Sequence, residues 1–301
     1  VFPVRSKMRS PPFIMAKPLM TRLCLAAIVT VFVVNAAQAQ RVALIAPNGS
    51  ELDKAVTASL IQALTPNLRS QDVDMSWAAY SAVKQVDPFN MTAEEARRVG
   101  SAVGCNFFVL TSTDTRRRAS IDRPEQFESF AAIYVVNSRT GLLAHWKIIS
   151  ASARSSDAAR SQLLALIPSG SREIIESIQD RLSSARIDTS AITELPDPDS
   201  PDAKGFKSPV PYRRIKPEYT RLAYLYDVTA TVEATVDLDE KGQITNVAIT
   251  KWAGYGLDES VEKAIRAMNW RPAERNGKPL ASRFLVRYNF RKIEKNDADN
   301  E

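Results

Sequence analysis

The last third of the chain carries the cleanest alternation of apolar and polar positions. Val228, Ala230, Val232, Ala234, Val236 and Leu238 alternate with Thr229, Thr231, Glu233, Thr235 and Asp237. A period of two built largely on β-branched residues predicts a strand with one wet face. Asp239-Glu240-Lys241-Gly242 predicts a turn with Gly242 at positive φ. Residues 243–250 then return as a second strand, with Val247 and Ile249 pointing inward. Leu257, Val261, Ala264, Ile265 and Met268 recur at three- and four-residue spacing, the stripe of an amphipathic helix. Asp258 and Glu259 sit in its first turn, where the helix dipole favours negative charge, and Pro272 blocks continuation beyond Trp270. After an Asn276-Gly277 turn, residues 282–290 form a last strand. There Phe284, Val286, Tyr288 and Phe290 alternate with Arg283, Leu285, Arg287 and Asn289. One helix on an antiparallel sheet, in the order ββαβ, makes a small α+β unit.

Earlier in the chain, over residues 41–185, strands and helices alternate. Residues 42–46 predict an apolar strand, and Ser50 caps a helix whose stripe is Leu52, Val56, Leu60 and Leu64. Val73, Met75 and Trp77 alternate with polar residues and predict a second strand. Thr92-Ala93-Glu94-Glu95 is a capping box that opens a helix ending at Gly104, and residues 105–113 follow as a strand. Residues 127–136 and 142–152 predict a hairpin closed at 137–141. Two helices are expected after it. One ends at Pro168-Ser169-Gly170, and the other carries Ile174, Ile175, Ile178 and Leu182. The order is β-α-β-α-β-β-β-α-α, an α/β domain. The Arg116-Arg117-Arg118 run with Arg123 falls between two strands and is expected to be a solvated hairpin tip.

These patterns divide the chain into 1–39, 40–188, 189–216, 217–291 and a polar tail, 292–301. The stretch 189–216 carries Pro196, Pro198, Pro201, Pro209 and Pro211 among Asp197, Asp199 and Asp202, with Pro217 immediately after it. It is expected to be a proline-stiffened linker that reaches under about 100 Å even as polyproline. In the first segment Arg22 precedes an apolar run, residues 23–34, that is shorter than the roughly 20 residues a bilayer span needs. Ala37-Gln38-Ala39 follows as a small-x-small site, so an export signal cleaved before Gln40 is expected, with an uncleaved inner-membrane signal anchor as the alternative. The segment holds five of the 40 basic residues (Arg5, Lys7, Arg9, Lys17, Arg22) and none of the 34 acidic ones. The net charge of +6 therefore lies mostly in the signal, and the remainder offers no case for nucleic-acid binding.

Candidate chemistry is sparse, and no cofactor, metal or catalytic residue is expected. His145 is the sole histidine, in Leu143-Ala144-His145-Trp146-Lys147, so neither a multi-histidine metal site nor a triad with a marked nucleophile is available. Gly254-Tyr255-Gly256 lacks the third glycine of a dinucleotide loop, and no Gly-Lys-Ser/Thr phosphate loop occurs. Gly100 and Gly104 have G-x-x-x-G spacing in a polar-flanked helix, which suits close packing or a helix end. Cys24 lies in the signal, which leaves Cys105 as one thiol in a largely apolar strand, expected to be buried and inert.

Several short motifs in the α+β unit agree at once. They are Gly254-Tyr255-Gly256-Leu257-Asp258, then Ala264, Trp270-Arg271-Pro272-Ala273, and Asn276-Gly277-Lys278-Pro279. With them, residues from about 205 to 291 resemble the C-terminal domain of the TonB family. The usual Tyr-Pro before the first strand is replaced by Tyr219-Thr220. Residues 41–185 are more distantly similar to small α/β envelope domains, such as the N-terminal domain of TolB or the curli secretion proteins. The shared features are the strand Val42-Ala43-Leu44-Ile45, the Gly-Cys-Asn-Phe-Phe-Val strand and the Thr140-Gly141 hairpin. The TonB resemblance implies a periplasmic, non-enzymatic binding protein, membrane-peripheral at most. Its partner would be an outer-membrane receptor or other envelope protein, engaged by strand addition in support of TonB-dependent transport. It implies that Arg283, Leu285, Arg287 and Asn289, on the outer face of the last strand, read the partner. A structural envelope scaffold whose C-terminal sheet pairs with itself, as a homodimer, or with an assembly partner is the alternative.

Overall fold

The computed structural model describes residues 40–83, 87–118, 125–183, 193–196 and 200–292. The expected export signal, Arg123, and the last nine residues of the tail lie outside this set. The chain from Gln40 to Glu301 is one compact unit. Its first half is built on a five-stranded sheet. The strands are β1 (Arg41–Ile45), β2 (Arg69–Ser70), β3 (Phe107–Arg117), β4 (Phe127–Asn137) and β5 (Leu143–Ala153), in spatial order β2-β1-β3-β4-β5. β1 runs parallel to both neighbours, and β3, β4 and β5 are antiparallel.

Four helices cover both faces of that sheet. α1 (Glu51–Leu64) and α4 (Ser156–Ser183) bury Val56, Leu60, Leu64, Leu163, Ile167, Ile174 and Ile178 against Val42, Leu44, Phe107, Val109 and Ile133. α2 (Val73–Ala82) and α3 (Ala93–Val103) place Tyr80, Ala96 and Val99 on the opposite face, against Ala43, Ile45, Phe108 and Leu110. Burial on both sides explains the continuous apolar runs in β1 and β3. The capping boxes at Ser50 and Thr92 form as expected, with Asp53 and Glu95 bonding back to the cap residues.

Three expectations give way here. Val73, Met75 and Trp77 lie on helix α2, not on a strand. Asp72 caps the helix by accepting the Met75 N–H at 2.9 Å, and Trp77 stacks on Tyr80 one turn later. Met75 and Trp77 are exposed, while Ser76 and Tyr80 face the core, so the five-residue alternation was a short sample of a helical pattern. Pro168 does not end a helix, because α4 runs through it. Leu163, Ile167, Ile174 and Ile178 keep one buried face across the proline, and Gly170 lets Ile149 of β5 approach; a Cβ there would sit 2.4 Å from Ile149 Cδ1. The arginine run is not a solvated tip. Arg116 ends within β3, with its guanidinium over Phe130, and Arg118 lies over Tyr226.

The second half has a sheet ordered β10-β9-β14-β6, from β9 (Ala230–Leu238), β10 (Ile244–Lys251), β14 (Ser282–Phe290) and β6 (Thr193–Glu194). β9 is antiparallel to β10 and β14, and β6 joins β14 in parallel. Helix α6 (Leu257–Arg266) packs on one face, so that Leu257, Val261 and Ile265 meet Val232, Val236 and Phe290, with Phe284, Val286 and Tyr288 alongside. Between α6 and β14 lie β11 (Trp270–Arg271), β12 (Ala273–Arg275) and β13 (Lys278–Leu280). The β12–β13 hairpin turns at Asn276 (φ 50) and Gly277 (φ 79), as the Asn-Gly pair requires.

The proline-rich stretch is tied to this half. β7 (Phe206–Lys207) pairs with β12, β8 (Val210–Pro211) pairs with β11, and β6 lies on β14. Each contact is two residues long because the prolines, which lack an N–H, interrupt any longer ladder. Thr220 caps the short helix α5 (Arg221–Leu225). Its hydroxyl also donates to the Tyr255 carbonyl at 2.6 Å.

One side chain from the second half completes the core of the first. Trp252 is fully buried in the cluster with Phe108, Leu110, Tyr134 and Val136, and its indole N–H reaches the Gly141 carbonyl at 3.3 Å. Trp252→Ala is therefore expected to lower stability by about 3–5 kcal/mol. Urea unfolding followed by both far-ultraviolet circular dichroism and tryptophan fluorescence should then split from one transition into two, because the halves lose their shared core.

Candidate binding edge and the joint behind it

β14 is held along its whole length on one side only. Every residue from Ser282 to Phe290 is paired with β9, in a register that runs from Ser282–Leu238 to Phe290–Ala230. On the other side, β6 pairs Thr193 with Ser282 and Glu194 with Arg283, and the Leu195 N–H donates to the Arg283 carbonyl at 3.3 Å. Among the described residues no strand follows β6 along that edge, so residues 284–290 present an unaccompanied edge.

The four side chains expected to read a partner share the outer face, as the alternation requires. Three of them are engaged with the neighbouring strand. Arg283 makes a bidentate pair with Asp237, at 2.7 and 2.8 Å, and Asp237 is almost wholly buried. The Arg283 hydrogen bonds hold the Asp237 carboxyl below its ordinary range despite that burial. Arg287 pairs with Glu233 at 2.7 Å, directly across the ladder, and Asn289 Oδ1 accepts from the Thr231 hydroxyl at 2.9 Å. Leu285 is the exception, an apolar side chain 53% exposed in the middle of the ladder.

Behind the sheet lies a joint whose partners could not be read from the sequence. Asn90 donates to the Thr231 and Trp252 carbonyls at 2.8 and 2.7 Å and accepts the Thr231 N–H at 3.0 Å. The Tyr226 hydroxyl donates to Glu128 at 2.8 Å. Arg118 pairs with the same carboxylate at 2.8 Å and reaches the Leu225 carbonyl at 3.0 Å. Burial, followed by the adjacent Glu128, pushes the Tyr226 phenol well above its ordinary value. Arg116 bonds Asp114 at 2.7 Å and lies 3.6 Å from Asp227. Gly254 packs on Trp146, where a Cβ would come within 2.5 Å of the ring, and Tyr255 meets Trp146 in a tilted contact with centroids 4.9 Å apart. The Gly-Tyr-Gly-Leu-Asp motif is thus the surface that meets the first half.

Asp258 organises that motif. Its carboxyl accepts the Ala253 and Gly254 N–H groups, each at 2.9 Å, which holds the loop in place. Burial raises its pKa to about 7, and the two backbone bonds offset only part of that rise. His145 lies in β5 near this joint. Among the described residues no group of three or more His, Cys, Asp or Glu side chains could hold a metal ion. Cys105 is buried beside Ser138, and its thiol is pushed up chiefly by desolvation.

Residues 215–291 match the family described as Gram-negative bacterial TonB protein C-terminal, and this stretch is a TonB C-terminal domain. The chain thus carries a TonB-like, cell-envelope type of domain over this stretch. Among the described residues no helix is long and apolar enough to cross a membrane. Comparison with curated proteins returns no match. Three solved structures are similar over part of the chain. A TonB C-terminal domain from Pseudomonas aeruginosa is 23% identical, over 35% of this chain and 98% of its own, with a TM-score of 0.26. The hypothetical protein CT253 from Chlamydia trachomatis is 11% identical, over 47% of this chain and 99% of its own, with a TM-score of 0.31. Lipoprotein GNA1162 from Neisseria meningitidis is 14% identical, over 47% and 99%, also with a TM-score of 0.31.

Asp258 makes stability depend on pH. Its folded pKa of about 7 lies above the ordinary aspartate value, so between about pH 4 and pH 7 the folded state binds more protons than the unfolded one. Stability attributable to this group is full at the acid end of that window and is lost as pH rises through it. Asp258→Asn should flatten that fall, as measured by thermal unfolding midpoints at pH 4.5, 6 and 8.

Proposed function

We propose that this chain is a periplasmic TonB-like binding protein. In this reading it engages an outer-membrane receptor, or another envelope partner, by adding a strand of that partner to the free edge of β14, in support of TonB-dependent transport. The observation that carries the reading is that edge. Residues 284–290 are paired with β9 on one side and have no strand beside them on the other, among the described residues. Main-chain hydrogen bonds would supply affinity, and the outer-face side chains would supply selectivity. The α6 helix and the buried face of β14 keep the edge straight and rigid, which limits the ordering cost of docking.

Arg283, Leu285, Arg287 and Asn289 would contact the incoming segment unequally. The arginines and the asparagine are braced by Asp237, Glu233 and Thr231, so they present fixed donors. Leu285 offers apolar area that nothing in the sheet covers. This bracing also decides which substitution is informative. Arg287→Glu would set two carboxylates opposite each other across the ladder and cost up to about 1 kcal/mol of stability. Leu285→Lys disturbs no such pair.

A peptide from the plug end of a TonB-dependent outer-membrane receptor, titrated into isotope-labelled protein, should shift the amide resonances of 284–290. Leu285→Lys should weaken that binding by about tenfold and leave the thermal midpoint within about 2 °C of wild type. Resonances that stay silent along 284–290 would overturn strand addition at this edge. Concentration-dependent dimerisation abolished by Leu285→Lys would favour the scaffold reading.

The export expectation has its own test. Intact mass of protein recovered from the periplasm of a secreting host should correspond to a chain beginning at Gln40. A membrane-sedimenting species that retains residues 23–34 would replace the cleaved signal with an anchor.

A further inference from the structure

Among the described residues no strand lies beside the outer edge of β5, the outer edge of β10 carries only the Lys251–Thr92 bridge, and residues of both strands line the same groove. β5 ends the first sheet and β10 ends the second. Residues 142–146 form one wall, residues 246–249 form the other, and the first turns of α6 line the side, around a cavity of about 700 Å³. One end is shut by the joint, where Lys251 bridges to Thr92 and the Trp252 indole reaches Gly141.

Each edge is irregular only outside its stretch along the groove or at one point within it. The β10 ladder slips between Ile244 and Asn246 and again between Ile249 and Lys251, which leaves 246–249 in unbroken register with β9 between the two slips. β5 has its single slip at Ala144, opposite Val135 and Val136. Bulges of this kind discourage indiscriminate edge pairing and confine it to the straight stretch between them. An extended segment docked here meets 246–249 of β10, which among the described residues have no strand beside them on that edge.

The groove's charge says what kind of segment. Among the described residues its charged lining is Glu259 and Glu262, with no lysine or arginine; Asp258 lies there too, but its carboxyl is taken up by the Ala253 and Gly254 N–H groups, and His145 lies on the β5 wall. Glu259 is exposed, and Glu262 is shared with Arg266 at 2.8 Å. We propose that this groove binds an extended, lysine- or arginine-bearing segment of a partner protein, which pairs with β10 while its basic side chains meet the α6 carboxylates. The site is separate from the β14 edge, on the far side of β9, so a chain occupied at both would carry two partner segments in one sheet.

The test uses the full mature chain and a capped octapeptide of alternating lysine and valine. Titration should shift the amides of 246–249 and 143–146. N-methylation of alternate residues of the peptide, which removes strand donors but not charge, should weaken binding at least tenfold. So should the double substitution Glu259→Gln with Glu262→Gln, with the thermal midpoint unchanged. Three results would each overturn the proposal: silent 246–249 amides, binding that survives N-methylation, or shifts confined to 284–290. The last would send the peptide to the β14 edge and leave strand addition there intact. Loss of receptor-peptide binding at β14 with the groove still responding would do the reverse.

Discussion

The burial of Trp252 in a core it does not belong to by sequence is the constraint on which the rest of the structure depends. An indole left in water would waste one of the largest apolar surfaces in the chain, and the first sheet has a face that α2 and α3 do not fully cover. Tyr134 lies beneath that face with its ring 5.6 Å from Trp252, and Phe89 and Trp146 flank it. Filling the gap with Trp252 fixes where β10 ends. Asn90 then satisfies the backbone groups that this exit leaves without ladder partners. Buried amide groups of this kind must be paired, so the asparagine and the tryptophan act together.

Once the joint is set, the sheet edges are assigned. β9 is central, and β10 is turned toward the first half. β14 is turned away from it, with β6 covering only its first two residues. Among the described residues both edges of the β10-β9-β14 core have stretches with no strand beside them, one near the carboxylates of α6 and one along the Arg283–Arg287 ladder.

The joint is also more polar than an ordinary core. Glu128 is buried with Tyr226 and Arg118 as its partners, and Asp258 is buried on two backbone N–H groups. Each is satisfied, so neither costs what an orphaned charge would. Such groups fix one mutual orientation of the halves, since a slide of either would strand them. The C-terminal domain is thereby held against a globular body that decides the direction its edges face.

The elements of the C-terminal unit were legible because their determinants are local. Period-two alternation in 230–238 and 282–290, the Asn276-Gly277 turn and the 257–268 stripe each depend on neighbours a few residues away, and the structure keeps every one. The same locality explains the misreadings. Five residues around Met75 fit either period, and Pro168 looks like a stop unless the buried row that continues past it is seen. Arg116 and Arg118 read as solvent-exposed because the aromatic rings beneath them, Phe130 and Tyr226, come from elsewhere in the chain. By itself the sequence determined the two strands, the helix and the closing strand of the C-terminal unit, their inward faces and the TonB-like resemblance of residues from about 205 to 291. Only the tertiary structure decided that Trp252 belongs to the first core, that Asn90 satisfies the backbone of Thr231 and Trp252, and which edges have no strand beside them among the described residues. Those outcomes depend on contacts between residues more than a hundred positions apart or on the packing around them, and no local pattern encodes which distant surface will be there.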